Sequence, residues 1–288
     1  MIDRAKLAKG YITDEYLKPY AIFKSDMKDT YVDEMEICSE FEEGIEKQEF
    51  QVFYQPVVDA KTGKIVSAEA LVRWFHEQKG FISPGQFIPA LEKGGYISEL
   101  DRYMIEKVTG CLDQRRAEKK RFVPVSVNLS WMDFYDENML EWIVRGLKKN
   151  NQNEQKIRFE ITETSLAAIG ENHTRMLMHL KENGAEILLD DFGNGYSSFG
   201  MLQDYDFDIL KMDISFVRNI GVNKKSESIL RAIIDMAHQL GIRLVAEGAE
   251  TEEQVAFLRA NGCDYIQGYY YYKPMPENEF LQLLDEGK

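Results

Sequence analysis

Hydrophobic positions along the chain follow two periods that alternate. From Asp33 to Gln48, Met35, Cys38, Phe41 and Ile45 recur at three- to four-residue spacing among acids, the pattern of an amphipathic helix. Two apolar segments, 51 to 58 and 64 to 72, flank the turn-rich DAKTGK (59 to 64) and predict a hairpin of two strands. Beyond it, helix-like stretches near 85 to 93 and 97 to 120 precede the strand VPVSVNLS (124 to 130), and a helix at 131 to 149 precedes KIRFEIT (156 to 162). A helix at 171 to 183 stops at Asn183-Gly184 before the apolar run that ends on Asp190 and Asp191. A short helix after Ser198 leads to FDILKMD (207 to 213), a helix at 224 to 240 to IRLVAEG (242 to 248), and one at 251 to 261 to CDYIQGY (263 to 269). Pro276 opens a terminal helix, and residues 1 to about 30, polar and tyrosine-containing, read as a tail or linker.

The predicted strands therefore begin near 51, 64, 124, 156, 185, 207, 242 and 263. Nearly continuous apolar strands alternating with helices indicate parallel pairing under a helical layer, and eight of them can close into a barrel. The opening hairpin departs from that rule, because it sets the first strand antiparallel to its neighbour. An open doubly wound sheet is the structural alternative, although no glycine-rich phosphate loop follows the first strand.

Most of these strands share a second habit: a polar or ionised residue near the end. Glu69, Asn128, Glu160, Asp190 with Asp191, Lys211 with Asp213, Glu247 and Gln267 occupy such positions. A charge inside an apolar strand is unfavourable by several kcal/mol unless it is paired or ligates a cation. A lone Asp pair after a strand can cap the next helix or sit solvated in a loop. So many strand ends carrying the same feature point to one shared site on a barrel rim. The carboxylates Glu69, Glu160, Asp190, Asp191 and Glu247 have no Cys or His near them in sequence, so the donors are oxygen and suit Mg2+ or Mn2+. Adjacent aspartates allow one carboxylate to bridge two ions about 3.5–4 Å apart, the arrangement for in-line attack of water on a phosphate ester. Lys211 on the same rim serves to orient water, to stabilise charge or to counter the carboxylates. His76, His173, His179 and His238 read as surface or packing residues.

Composition narrows the partners. A net charge of −14, from 35 basic and 49 acidic residues, disfavours long nucleic acid but permits a small phosphate ligand held through cations. Cys38, Cys111 and Cys263 are far apart and match neither a disulfide framework nor a zinc site. No apolar run approaches the ~18 residues needed to span a bilayer, and MIDRAKLAKG lacks the apolar core of a signal peptide. The expectation is a cytoplasmic protein with no membrane contact from these residues.

The sequence also resembles a known family. EALVRW at 69 to 74 is similar to the signature of the EAL phosphodiesterases of cyclic di-GMP. The likeness continues through YQPVVDAKTGKIVSAEALVRW, FISPGQFIPALEKGG, VNLS, FEITET, DDFGNGYSS, LKMDISFV, VAEGAET and CDYIQGYYYYKPMP, from about residue 36 to 288. It implies a TIM-like (β/α)8 barrel with an antiparallel first strand, hydrolysing cyclic di-GMP to linear pGpG with two Mg2+ or Mn2+ ions. In that likeness Glu69, Asn128, Glu160 and Asp190 hold the first ion and Asp190 with Asp191 the second, while Lys211 and Glu247 position water close to Gln267. Arg73 corresponds to a phosphate contact, and Gln55, Leu71 and Asp213 to the guanine cleft. Glu163 anchors the DDFG loop and Glu250 supports it or the metal site. The family includes members that bind the nucleotide without cleaving it, so a receptor module is the alternative. Every metal position is present here, whereas Asn194 stands where threonine is usual in the loop. The resemblance further implies a homodimer through helices near the DDFG and LKMD strands. Residues 1–35 are expected to be the linker or tail of an upstream GGDEF domain, and 36–288 the EAL domain.

Overall fold

A computed structural model describes residues 20–23, 25–150, 157–169, 174–193 and 198–287. The strands are β1 (Phe50–Asp59), β2 (Ile65–His76), β3 (Gly80–Ile82), β4 (Val125–Asn128), β5 (Ile157–Thr162), β6 (Glu186–Phe192), β7 (Ile209–Met212), β8 (Arg243–Glu247), β9 (Tyr265–Gln267) and β10 (Met275–Pro276). The chain divides into two compact units, one from the described parts of Met1–Gln51 with Arg73–Ile97, the other from Val52–Val72 with Ser98–Lys288.

The first unit is built on aromatic packing. Helix Ser25–Glu46 places Phe41, fully buried, edge-on to Phe50 at 5.5 Å between ring centres, and Phe50 stacks on Trp74 at 4.5 Å. Phe87, from helix Pro84–Gly94, meets both rings edge-on, and the Trp74 indole N–H donates to Glu49 at 2.9 Å. That helix has Pro84 in its first turn, where a missing N–H is harmless, and ends at Gly95 in the left-handed region (φ 80°). The helix expected from Asp33 begins at Ser25, inside the stretch read as a tail or linker. The far end of β2 pairs antiparallel with β3, a strand too short for period-two alternation to reveal.

The second unit is the expected barrel. Strands run in the order β1-β9-β8-β7-β6-β5-β4-β2, and β2 returns to pair with β1. The pairs from β2–β4 through β8–β9 are parallel, and β1 lies antiparallel to β9 with Val58 opposite Ile266. Asp59 makes the β1–β2 turn: its Oδ1 accepts from the Lys61 and Thr62 amides at 3.1 and 2.7 Å, while Gly63 takes φ 69°. Short β10 adds to β1, with Tyr54 opposite Met275.

Because successive side chains of a strand point to opposite faces, each strand contributes one set outward and one inward. Outward residues such as Ala68, Val127, Phe159, Leu189, Leu210, Ala246 and Ile266 join the large core beneath the helices. Inward, Val57, Leu188, Ile209 and Val245 form a separate apolar cluster with Tyr265 against it. Two residues along each of those strands, on the same face, stand Gln55, Asp190, Lys211, Glu247 and Gln267. The alternation that fills the barrel with apolar side chains thus delivers the polar ones to its rim. No helix of the described residues is long and apolar enough to cross a membrane.

Phe159 is completely buried on the outward face of β5. Phe159→Ala should destabilise the protein by about 3–5 kcal/mol, lowering the melting temperature by roughly 10 °C at about 2–4 °C per kcal/mol; calorimetry checks this.

Candidate active site at the barrel rim

Lys211 sits at the centre. Its side chain is 2% exposed, and Nζ lies 2.6 Å from Glu160 Oε2, 2.7 Å from Glu247 Oε1, 3.2 Å from Glu69 Oε2 and 3.3 Å from Asp190 Oδ1. A buried ammonium is tolerated only when its donors are taken and its charge is met, and here four carboxylates from four strands do both. Gln267 Nε2 donates to Glu69 Oε2 at 2.6 Å and to Gln55 Oε1 at 3.2 Å, and Gln55 Nε2 reaches the Tyr272 carbonyl at 3.3 Å. Asn128 is exposed at the end of β4, its Nδ2 at 3.5 Å from Glu69 Oε1.

One lysine against four carboxylates leaves an excess of negative charge, and the acids respond differently. Burial raises Glu69, but the Lys211 charge and hydrogen bonds from Gln267, Lys211 and Asn128 outweigh it and hold its carboxyl low. Burial lifts Glu160 well above the usual range, reinforced by Glu69 and Asp190. Glu247 is pushed up to about 8 by burial, with Lys211 opposing and Asp190 and Glu69 adding to the rise. Asp191 is raised by burial, Asp190 and Asp213. For Lys211 the four carboxylates overcome the opposing effect of burial and keep it charged.

Adjacent residues of a regular strand face opposite sides, so Asp190 and Asp191 would not both reach the rim. The register of β6 shifts between Leu189 and Phe192, and Asp191 adopts φ 57°. A left-handed aspartate is disfavoured by roughly 1–2 kcal/mol; its amide donates to Asp190 Oδ1 at 2.8 Å. The bulge brings oxygens of Asp190, Asp191 and Glu247 within 4.8 Å of one another. Next in the chain, the Gly193 amide donates to Glu163 Oε2 at 3.3 Å, and a Cβ on Gly193 would stand 2.5 Å from the Phe216 ring. Glu163, buried at the start of helix Glu163–Ile169, thus holds the DDFG turn.

An open cleft of about 290 Å³ over this ring includes Gln55, Leu71, Asp190, Lys211, Glu247 and Gln267 in its walls. Glu250 also lines it, while its own amide is bound by Gln254 Oε1 at 2.7 Å. Asp213 is placed differently: its Oδ1 accepts from the Ser215 amide at 2.9 Å and caps helix Ile214–Arg218. Arg73 is half-buried on β2 and belongs to the first unit, and Asn194 lies outside the described residues. Sequence reasoning missed Ile214, Arg218, Gly248 and Tyr269 as cleft residues. Gly248 could have been found: φ 71° and a Cβ position 2.1 Å from Ile214 Cγ1 leave glycine alone at that site. Arg218 ends a five-residue helix and carries no such signal.

The sequence matches the EAL domain over residues 39–274, and the chain belongs to that family. A protein of Pseudomonas aeruginosa named a cyclic di-GMP phosphodiesterase is 36% identical over 228 residues, covering 78% of this chain and 38% of its own length. Among solved structures, an EAL enzyme with cAMP and cyclic di-GMP bound superposes with a TM-score of 0.80 at 30% identity, covering 88% of this chain and 70% of that one. The PaMucR phosphodiesterase in complex with c-di-GMP gives 0.75 at 30% identity, covering 85% and 99%. The chain spans well under half the length of the first curated relatives, 31% of a signaling protein of Caulobacter vibrioides.

The raised pKa of Glu247 has a definite sign for stability. Below about pH 4 the carboxyl is neutral folded and unfolded. Between there and about 8 the folded state keeps a proton that the unfolded state releases, so the metal-free fold loses stability as pH rises. With chelator present, Glu247→Gln should melt near wild type at acidic pH and at least ~2–4 °C higher at alkaline pH, a gap that differential scanning fluorimetry across pH reads directly.

Proposed function

We propose that this chain is a metal-dependent phosphodiesterase that hydrolyses cyclic di-GMP to linear pGpG. The observation that carries the reading is the rim itself: Lys211 within a ring of carboxylates, with Asp190, Asp191 and Glu247 converging beside it. The printed names of the Pseudomonas relative and of the solved neighbours support the nucleotide.

The residues suit divalent cations. Every donor is oxygen, the choice of Mg2+ and Mn2+. Glu160 Oε1 and Gln267 Oε1 are buried without a hydrogen-bond partner, acceptors that a cation or its water would satisfy. Glu69, Asn128, Glu160 and Asp190 would hold one ion, and Asp190, Asp191 and Glu247 the second. When bound, the two ions supply Lewis acidity that lowers the pKa of water and neutralises charge on the phosphodiester.

The chain's own groups do the rest. Nζ of Lys211, fixed by four carboxylates, is a permanent positive charge where the attacked phosphate gains negative charge. Glu247, at the more open side of the ring, is placed to orient water at its carboxylate oxygens. Gln55, Leu71 and Gln267 form one wall against which a guanine rests. Glu163 keeps the turn after Asp191 from moving the aspartates apart. Three free cysteines agree with action in the reducing cytoplasm.

We further infer a homodimer. Helices Thr174–Glu182 and Ser198–Asp204 border a groove of about 340 Å³ that includes Leu177, Tyr205 and Phe207, and Met178 beside it is 57% exposed. Exposed Met178, with Lys181, Glu182, Asp204 and Asp206 around the groove, offers mixed apolar and charged contacts to a second copy of the chain. Light scattering at micromolar concentration should give twice the chain mass of 33.4 kDa; a monomer would reject the interface.

Purified protein with Mg2+ or Mn2+ should convert cyclic di-GMP to pGpG, followed by chromatography of the nucleotide, and Glu69→Ala or Asp190→Ala should reduce turnover at least ~100-fold. Intact nucleotide under both metals, with binding still detectable, would replace the enzyme reading by a receptor.

A further inference from the structure

A pair of acids away from the rim is not used by the chemistry above. Asp133, wholly buried in the 3-10 turn Trp131–Tyr135, and Asp101, 8% exposed on helix Ile97–Ala117, point at the same backbone amide. That amide belongs to Ser130: its N–H donates to Asp133 Oδ2 at 2.9 Å and to Asp101 Oδ2 at 3.1 Å. The two Oδ2 atoms thus converge on one N–H, while Asp133 Oδ1 is buried without a hydrogen-bond partner. Two buried carboxyl groups converging on one N–H repel each other when both are ionised, which favours a proton on one of them. Burial, the largest influence, raises Asp133, and nearby Asp136 adds in the same direction.

Ser130 stands two residues after Asn128. The residue between them, Leu129, donates its N–H to the Glu160 carbonyl at 2.9 Å, and Asn128 itself lies opposite Glu160 in the β4–β5 ladder. The exit of β4 is therefore tied to β5 on one side and to the acid pair on the other. Asn128 is a neutral amide on a four-residue strand, exposed, with its Nδ2 no closer than 3.5 Å to Glu69. Its side chain makes one long hydrogen bond, so the backbone on either side, the β4–β5 ladder before it and the Ser130 clamp after it, carries most of its positioning.

We propose that Asp101 and Asp133 share a proton and together clamp the Ser130 amide, and that this clamp sets the position of Asn128 for a divalent cation. Both are positioning residues, and the proposal rests on the reading of Asn128 as a metal donor. An asparagine at 133 preserves the device, because its carbonyl accepts from Ser130 and its amide hydrogen replaces the shared proton. A leucine of similar size removes it.

The test is a calorimetric titration of chelator-treated protein with Mn2+, together with melting curves. Asp133→Leu should weaken Mn2+ binding roughly 10-fold, the usual scale for a group that orients a ligand, and Asp133→Asn should stay within about twofold of wild type. In an Asn128→Ala background Asp133→Leu should add nothing, because the clamp acts through Asn128. Unchanged affinity in Asp133→Leu, equal losses in the Asn and Leu variants, or additive losses with Asn128→Ala would each overturn the proposal. If Asp133→Leu does not fold, Asp101→Leu carries the same expectations. Wild-type protein that took up no Mn2+ would overturn both this inference and the function; protein that bound Mn2+ with the predicted pattern but left cyclic di-GMP intact would overturn the function alone.

Discussion

The ion cluster around Lys211 is the constraint on which the rest of the structure depends. A lysine ammonium removed from water, with carboxylates from β2, β5, β6 and β8 within 3.3 Å, has no other stable place in an apolar barrel. Removing the lysine would leave the carboxylates uncompensated, and moving one strand breaks a contact made by another. The cluster therefore locks the register of the strands that the hydrophobic alternation leaves pointing inward. The same excess of negative charge that makes it costly to the fold suits the metal role proposed for it, because surplus carboxylates are what a divalent cation needs.

Two physical rules divide the labour at this rim. Period-two alternation puts an apolar layer inside the barrel and a polar layer at its rim, one residue per strand. The bulge at Asp191 then breaks the rule once, turning a side chain that belongs on the outer face toward the cleft. Glu163 and the crowding of Gly193 by Phe216 stabilise the turn that follows. Function at this rim thus combines a regular feature with a local exception, and the exception carries the strain.

Much of this was legible in the sequence for a physical reason. The eight barrel strands are short, apolar and separated by amphipathic helices, and an acid or amide ending an apolar strand is conspicuous because it is unfavourable there. Glu69, Glu160, Asp190, Lys211, Glu247 and Gln267 stand together as expected. What stayed hidden depends on contacts between distant segments. β3 and β10 are too short to show a period, and helix Glu163–Ile169 is only about two turns long. The helical start at Ser25 was concealed by a polar stretch whose side chains give no periodic signal. Asp213 reads as another rim acid, and its charge does act on Asp191, but its Oδ1 also caps the next helix through the Ser215 amide, a local preference that a single strand-end residue does not reveal. The left-handed turn at Asp191 was equally invisible, since most residues in that conformation are glycine.

In the function proposed here, the rim of this EAL domain seats two cations shared across Asp190. Diffraction from crystals soaked with Mn2+, recorded at the manganese absorption edge, tests it most directly. Two anomalous peaks are expected to flank Asp190, one beside Glu69, Asn128 and Glu160 and the other beside Asp191 and Glu247. Peaks elsewhere on the molecule, or none at this rim, would contradict it.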